Sequence, residues 1–151
     1  MGLSSSQCYK FASYKDVQNA ISVLGKNNTI LINTLPSNKQ SILIKGTCAI
    51  EQEEQLINDA LQHNSSIFII IYAAHNCDRS VFRKYEQLRS LGFVNIYIYS
   101  GGLFEWLCLQ DIYGDNYFQT ISKQHEKFDL LDMAPSEYCN VLHTKQITNS
   151  H

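Results

Sequence analysis

The stretch IIIYAAHNCDRSVFRKY, residues 69–85, carries an imidazole, a thiol, a carboxylate and two guanidinium groups in close succession: His75, Cys77, Asp78, Arg79 and Arg83. The apolar, β-branched run at its start reads as a buried strand, and the spacing after Asp78 reads as a helix. Between them lies a loop of Ala73, Ala74, His75, Asn76, Cys77, Asp78 and Arg79. A loop at such a junction turns its backbone N–H groups toward whatever sits before it, at the positive end of the helix dipole. Cys77 stands at the far end of that loop, near Arg79. Both influences favour thiolate, the nucleophilic form. The plainer alternative is a cysteine beside a helix cap, with no chemistry.

Cys77 and Arg83 are separated by five residues, the spacing found in cysteine phosphatases. In that chemistry a loop wraps one anion with its amides while the arginine binds it bidentately. There the cysteine ends the strand and the five residues are loop; here most of them fall in the expected helix, so Arg83 lies one turn down. His75 is a candidate general acid or metal ligand. With only Cys77 two residues away it lacks the ligand set of a zinc site, and a solvent-facing loop tip is the alternative. No metal or cofactor is expected. Arg79 and Arg83, four apart, share a helix face that either binds an anion at the loop mouth or is simply solvated.

These groups need a scaffold. Ser13 and Asp16 give a helix start signal, Val17, Ala20, Ile21 and Leu24 recur at helical spacing, and Gly25 suits the end, so a helix is expected over 13–26. TILINT (29–34) and SILIKG (41–46) read as strands. A helix is expected over 51–62, with Leu56, Ile57, Ala60 and Leu61 inward and early glutamates at its N-terminus. SIFIIIY (66–72) is apolar on both faces, as a central parallel strand must be. A helix over 78–91 follows, with Val81, Phe82, Tyr85 and Leu88 inward and Gly92 as its stop. VNIYIYS (94–100) is the next strand, Gly101 and Gly102 form a turn, and 103–110 is a short apolar helix. Strands alternating with helices specify an α/β fold: an open, mainly parallel sheet with helices on both faces. After about Thr120 the pattern decays. The expected organisation is a flexible lead (1–12), one domain (13–120) and a tail (121–151) that docks briefly and frays.

The chain has 151 residues, enough for one core, with 44% apolar and 17% charged residues and a net charge of −2. That balance gives no basic face for nucleic acid. The longest apolar run, 67–74, is too short to span a bilayer. Five cysteines, without a CxxC pair, read as reduced thiols in a cytoplasmic setting. MGLSSS places Gly2 and Ser6 where an N-myristoylation signal needs them, although a Ser-rich start matches that pattern by chance as well. A single acyl chain gives weak, reversible attachment unless a second signal, such as palmitoylation of Cys8, supports it. Lys10 and Lys15 are too few for a polybasic patch. The expected location is cytoplasmic, at most peripheral to a membrane.

Taken together, IIIYAAHNCDRS and LRSLGFVNIYIYSGGLFEW resemble the strand, active-site loop and Gly-Gly-x-x-x-Trp signature of the rhodanese-like family, the signature falling on Gly101, Gly102 and Trp106. ILINT and LIKGT resemble its two earlier strands. The resemblance covers roughly 14–120 and implies a central parallel sheet flanked by helices. Members of the family move sulfane sulfur through a cysteine persulfide, use the same pocket in phosphatase chemistry, or only bind partners. In catalytic members a cysteine directly follows the strand-ending residue. Here Tyr72 ends the strand and Ala73 follows. Asn33 and Leu35 stand where active members usually continue into Asp-x-Arg, and the loop is about one residue longer. GGLFEWLCLQDIYG is also similar to a subset from protists and large viruses that often lacks this thiol. The resulting expectation is a non-catalytic module that binds a protein or anionic partner, with a sulfurtransferase or persulfide carrier using Cys77 as the alternative and a phosphatase third. Trp106 and Phe104 are expected to be core or pocket wall.

Overall fold

The computed structural model describes residues 8–22 and 29–122. Its first strand, β1 (Phe11–Ala12), lies within the stretch expected as a flexible lead. Helix α1 (Tyr14–Ser22) starts as its sequence signal requires. The Asp16 N–H donates to Ser13 Oγ at 3.4 Å, and the Ser13 N–H and hydroxyl donate to Asp16 Oδ2 at 2.7 and 2.8 Å. These bonds hold the Asp16 carboxyl below the usual carboxylate range. Leu24 and Gly25, expected as the last turn, lie outside the described residues.

Strand β2 (Thr29–Asn33), strand β4 (Phe68–Tyr72) and strand β5 (Ile96–Tyr99) join β1 in one sheet, ordered β1-β5-β4-β2, and every pairing is parallel. The central position of β4 follows from its composition. Ile69 and Ile71 pack toward helices α2 (Ile50–His63) and α3 (Ser80–Ser90), while Ile70 and Tyr72 pack toward α1 and helix α4 (Gly102–Tyr113). Burying each such isoleucine stabilises the fold by about 1.5–3 kcal/mol. No helix among the described residues is long and apolar enough to cross a membrane.

Strand β3 (Ile42–Ile44) does not join the parallel sheet; it pairs antiparallel with β6 (Thr120–Ser122), Leu43 opposite Ile121, as a separate two-stranded ribbon. Its partner lies where the hydrophobic pattern has already decayed, so no local signal announces the pairing. Leu56, expected inward, is exposed. The buried stripe of α2 runs through Ile57 and Ala60 with Leu61 beside it, and Leu56 falls outside that stripe.

Candidate functional site

The loop of interest leaves the C-terminal end of β4, where parallel sheets present their sites. Tyr72 ends the strand fully buried. Its hydroxyl accepts from Ile44 N–H at 3.2 Å and lies 2.7 Å from Thr47 Oγ1, which donates to the Ile44 carbonyl at 2.6 Å. The Tyr72 hydroxyl is therefore the donor to Thr47, and burial pushes its pKa well above the ordinary phenol value. Ala73 follows at 2% exposure, and its methyl belongs to the α2–α3 side of the core with Ile71 and Val81. Ala74 belongs to the opposite side, with Tyr72 and Leu103.

The carbonyls of this pair face the start of α4. Leu103 N–H donates to Ala73 O at 2.9 Å and Phe104 N–H to Ala74 O at 2.8 Å. Amides that a helix N-terminus otherwise leaves open for an anion are used here by the loop. Gly102 makes the approach possible. Its φ is +67°, and a Cβ there would lie 2.6 Å from Ala73 O and 3.1 Å from the His75 backbone nitrogen. The turn expected at Gly101 and Gly102 is thus the entry to α4. Trp106, on the same helix, is fully buried; its indole N–H donates to Gln119 O at 3.1 Å and its ring packs edge-on to Phe118 and Tyr99. Gly102 thus lets α4 close on the loop, while Trp106 anchors the same helix to Tyr99, Phe118 and Gln119.

Further along, the loop satisfies its own amides. Cys77 N–H donates to His75 Nδ1 and Asp78 N–H to His75 O, both at 3.2 Å. An accepting Nδ1 carries no proton, so the ring proton sits on Nε2. Asp78 Oδ1 accepts from the Ser80 N–H at 3.0 Å and from its hydroxyl at 2.7 Å. Thr34 Oγ1 lies 2.7 Å from the Ser80 hydroxyl and also donates to the Tyr72 carbonyl at 3.5 Å. The helix expected from Asp78 begins at Ser80, with Arg79 as its N-cap residue, the Asp78 carboxylate on the Ser80 N–H and hydroxyl, and Cys77 three residues ahead of the first turn, where the dipole has weakened.

Cys77 is half-buried and Asn76 is exposed at the tip. The two arginines diverge. Arg79 lies 6.0 Å from the Phe82 ring centroid, a cation–π contact, while Arg83 lines a groove of 780 Å³ between α2 and α3 with Thr34, Ser80 and Glu53. Residues 80–83 are helical, so the Cys-x5-Arg spacing does not enclose a phosphate-sized loop. Among the described residues no group of three or more His, Cys, Asp and Glu side chains is placed to hold a metal. Asn33, in place of the first residue of Asp-x-Arg, is buried in a reciprocal amide pair with Gln40: Asn33 Nδ2 donates to Gln40 Oε1 at 3.1 Å and Gln40 Nε2 to Asn33 Oδ1 at 2.7 Å. Gln40, Thr34 and Ser80 escape the sequence reading. The available signal was a polar residue ending a buried strand, which must find a partner somewhere.

No protein-family model matches the sequence, and no curated protein does. Solved structures do match. The rhodanese-like domain of the Alr3790 protein from Anabaena sp. superposes with a TM-score of 0.52 at 19% identity, over 81% of this chain and 89% of its own. A thiosulfate sulfurtransferase from Pseudomonas aeruginosa gives 0.56 at 14% identity, over 86% of this chain and 22% of that longer one. This chain has a rhodanese-like fold. The BH2092 protein from Bacillus halodurans shares the architecture, with a TM-score of 0.60 at 14% identity over 87% of this chain and 89% of its own. In rhodanese-like terms, residues 73–79 are the loop that the resemblance designates as the active-site loop, and its first residue here is an alanine.

Proposed function

We propose that the protein is a non-catalytic rhodanese-like module that binds a protein or an anionic partner. One observation carries this reading: Ala73 occupies the position directly after the strand-ending Tyr72. A methyl group cannot carry a persulfide, and this one is enclosed in the core. The hydrogen bonds of the loop support the reading. Amides 77, 78 and 80 donate to the loop's own acceptors, and the first turn of α4 donates to Ala73 and Ala74, so these donors do not converge on a developing anion. The similarity of 101–114 to the subset from protists and large viruses fits a chain without this thiol. In this reading an acyl chain on Gly2, outside the described residues, tethers the module weakly to membranes. Gly2→Ala is expected to shift the protein from the membrane to the soluble fraction, and an unchanged distribution removes the tether.

A second reading, a sulfurtransferase or persulfide carrier, rests on Cys77. It lies in the same loop and is only half-buried. Sulfur loading separates the two. The reduced protein is exposed to thiosulfate and each cysteine is mapped by peptide mass spectrometry. No selective loading is the expected result. Cyanide-labile sulfur confined to Cys77, and lost in Cys77→Ser, overturns the non-catalytic reading and establishes the second.

A further inference from the structure

We infer that the face formed by α2 and α3 is a self-association surface whose occupant is a second copy of this chain. Helix α2 leads into β4 and α3 into β5, neighbouring parallel strands, and both pack on the same side of the sheet, so the two helices point the same way. The groove between them has Ile57 and Leu88 in its floor, and its exposed apolar residues are Ile50 at 45% and Leu91 at 47%. Its walls carry opposite charge. Among the residues lining it, α2 contributes the carboxylates Glu53 and Glu54 and no lysine or arginine, and α3 contributes Arg83 and Lys84 and no carboxylate. Glu53 and Lys84 pair across the groove and fix the level of one helix against the other. Glu54 and Arg83 flank that bond, line the groove, are exposed, and have no ion-pair partner among the described residues.

Such a face is self-complementary. A two-fold axis along the groove lays α2 of each copy over α3 of the other. It sets Glu54 level with Arg83 of the partner subunit, twice, with the apolar floor between them. The other in-plane two-fold, across the groove, sets acid on acid and base on base. Electrostatics therefore selects one symmetric arrangement that needs no foreign chain. The proposal does not depend on whether the loop at Ala73 is catalytic.

The test is sedimentation equilibrium of the full chain at low and high salt. The expected result is a dimer at micromolar concentration that weakens as salt rises. Arg83→Glu and Glu54→Arg, each a change at an exposed position, are expected to raise the dissociation constant about a hundredfold, and the double variant to restore association. Circular dichroism confirms that each variant is folded. A wild-type monomer across that range overturns the proposal, whether the groove is then taken by a foreign helix or by the chain's own residues 123–151. A dimer indifferent to Arg83→Glu overturns it as well.

Discussion

Replacing Gly102 by alanine is expected to destabilise the protein by about 3 kcal/mol, a large part of an ordinary domain's stability. Two costs combine. At φ +67° an L side chain costs about 1–2 kcal/mol, and a Cβ placed 2.6 Å from the Ala73 carbonyl must push the loop and α4 apart. That separation breaks the bonds from Leu103 N–H and Phe104 N–H, each worth about 1 kcal/mol. The expected fall in melting temperature is about 10 °C. Gly92 provides the control. Its φ is +110°, but nothing lies within 4 Å of a Cβ built there, so Gly92→Ala carries the backbone strain without the collision. Urea denaturation of both variants measures the difference. A loss at Gly102 no greater than about 1–2 kcal/mol, the cost of left-handed backbone strain alone, would mean that the close approach of α4 to the loop is not what Gly102 serves.

Trp106→Ala should cost about 3–5 kcal/mol. The ring is completely buried, its centroid 5.0 Å from that of Phe118 and 6.3 Å from that of Tyr99, and the surrounding backbone is held by the sheet and by the β3–β6 ribbon, so the void closes only in part. Trp106→Phe should cost far less, about 1 kcal/mol, because Gln119 O keeps a second donor in the Lys45 N–H at 3.0 Å when the indole N–H is gone. Trp106 is the sole tryptophan. Wild-type unfolding can therefore be followed by its emission, and the two variants by circular dichroism. A small loss for Trp106→Ala would show that α4 and the ribbon do not share this anchor.

Both residues stand out in the sequence as parts of the Gly-Gly-x-x-x-Trp element that carries the rhodanese-like resemblance. What each does is legible only in three dimensions. Gly101 and Gly102 read as a turn, whereas Gly102 opens α4 and lets it touch the loop. The thiol, imidazole and arginines of 75–83 read as one constellation, whereas Arg79 lies over Phe82 and Arg83 over the α2–α3 groove. Side-chain direction at a helix start depends on where the helix begins, and this helix begins at Ser80, two residues later than its spacing predicts.

The sequence by itself determined the α/β class, the central place of β4, the helix start at Ser13 and Asp16, and that an alanine, Ala73, directly follows the strand-ending Tyr72. Each of these is written in local periodicity, in capping chemistry or in the identity of one residue. Only the tertiary structure decided that β3 leaves the main sheet for β6, that Asn33 pairs with Gln40, that Leu56 is exposed, and that the first amides of α4 close on Ala73 and Ala74. The β3–β6 pairing and the α4–loop bonds join residues far apart in the chain, and the exposure of Leu56 depends on how much of α2 the packed sheet covers. Periodicity along one segment reports which face it buries; it carries no record of the backbone that will meet that face once the chain has closed.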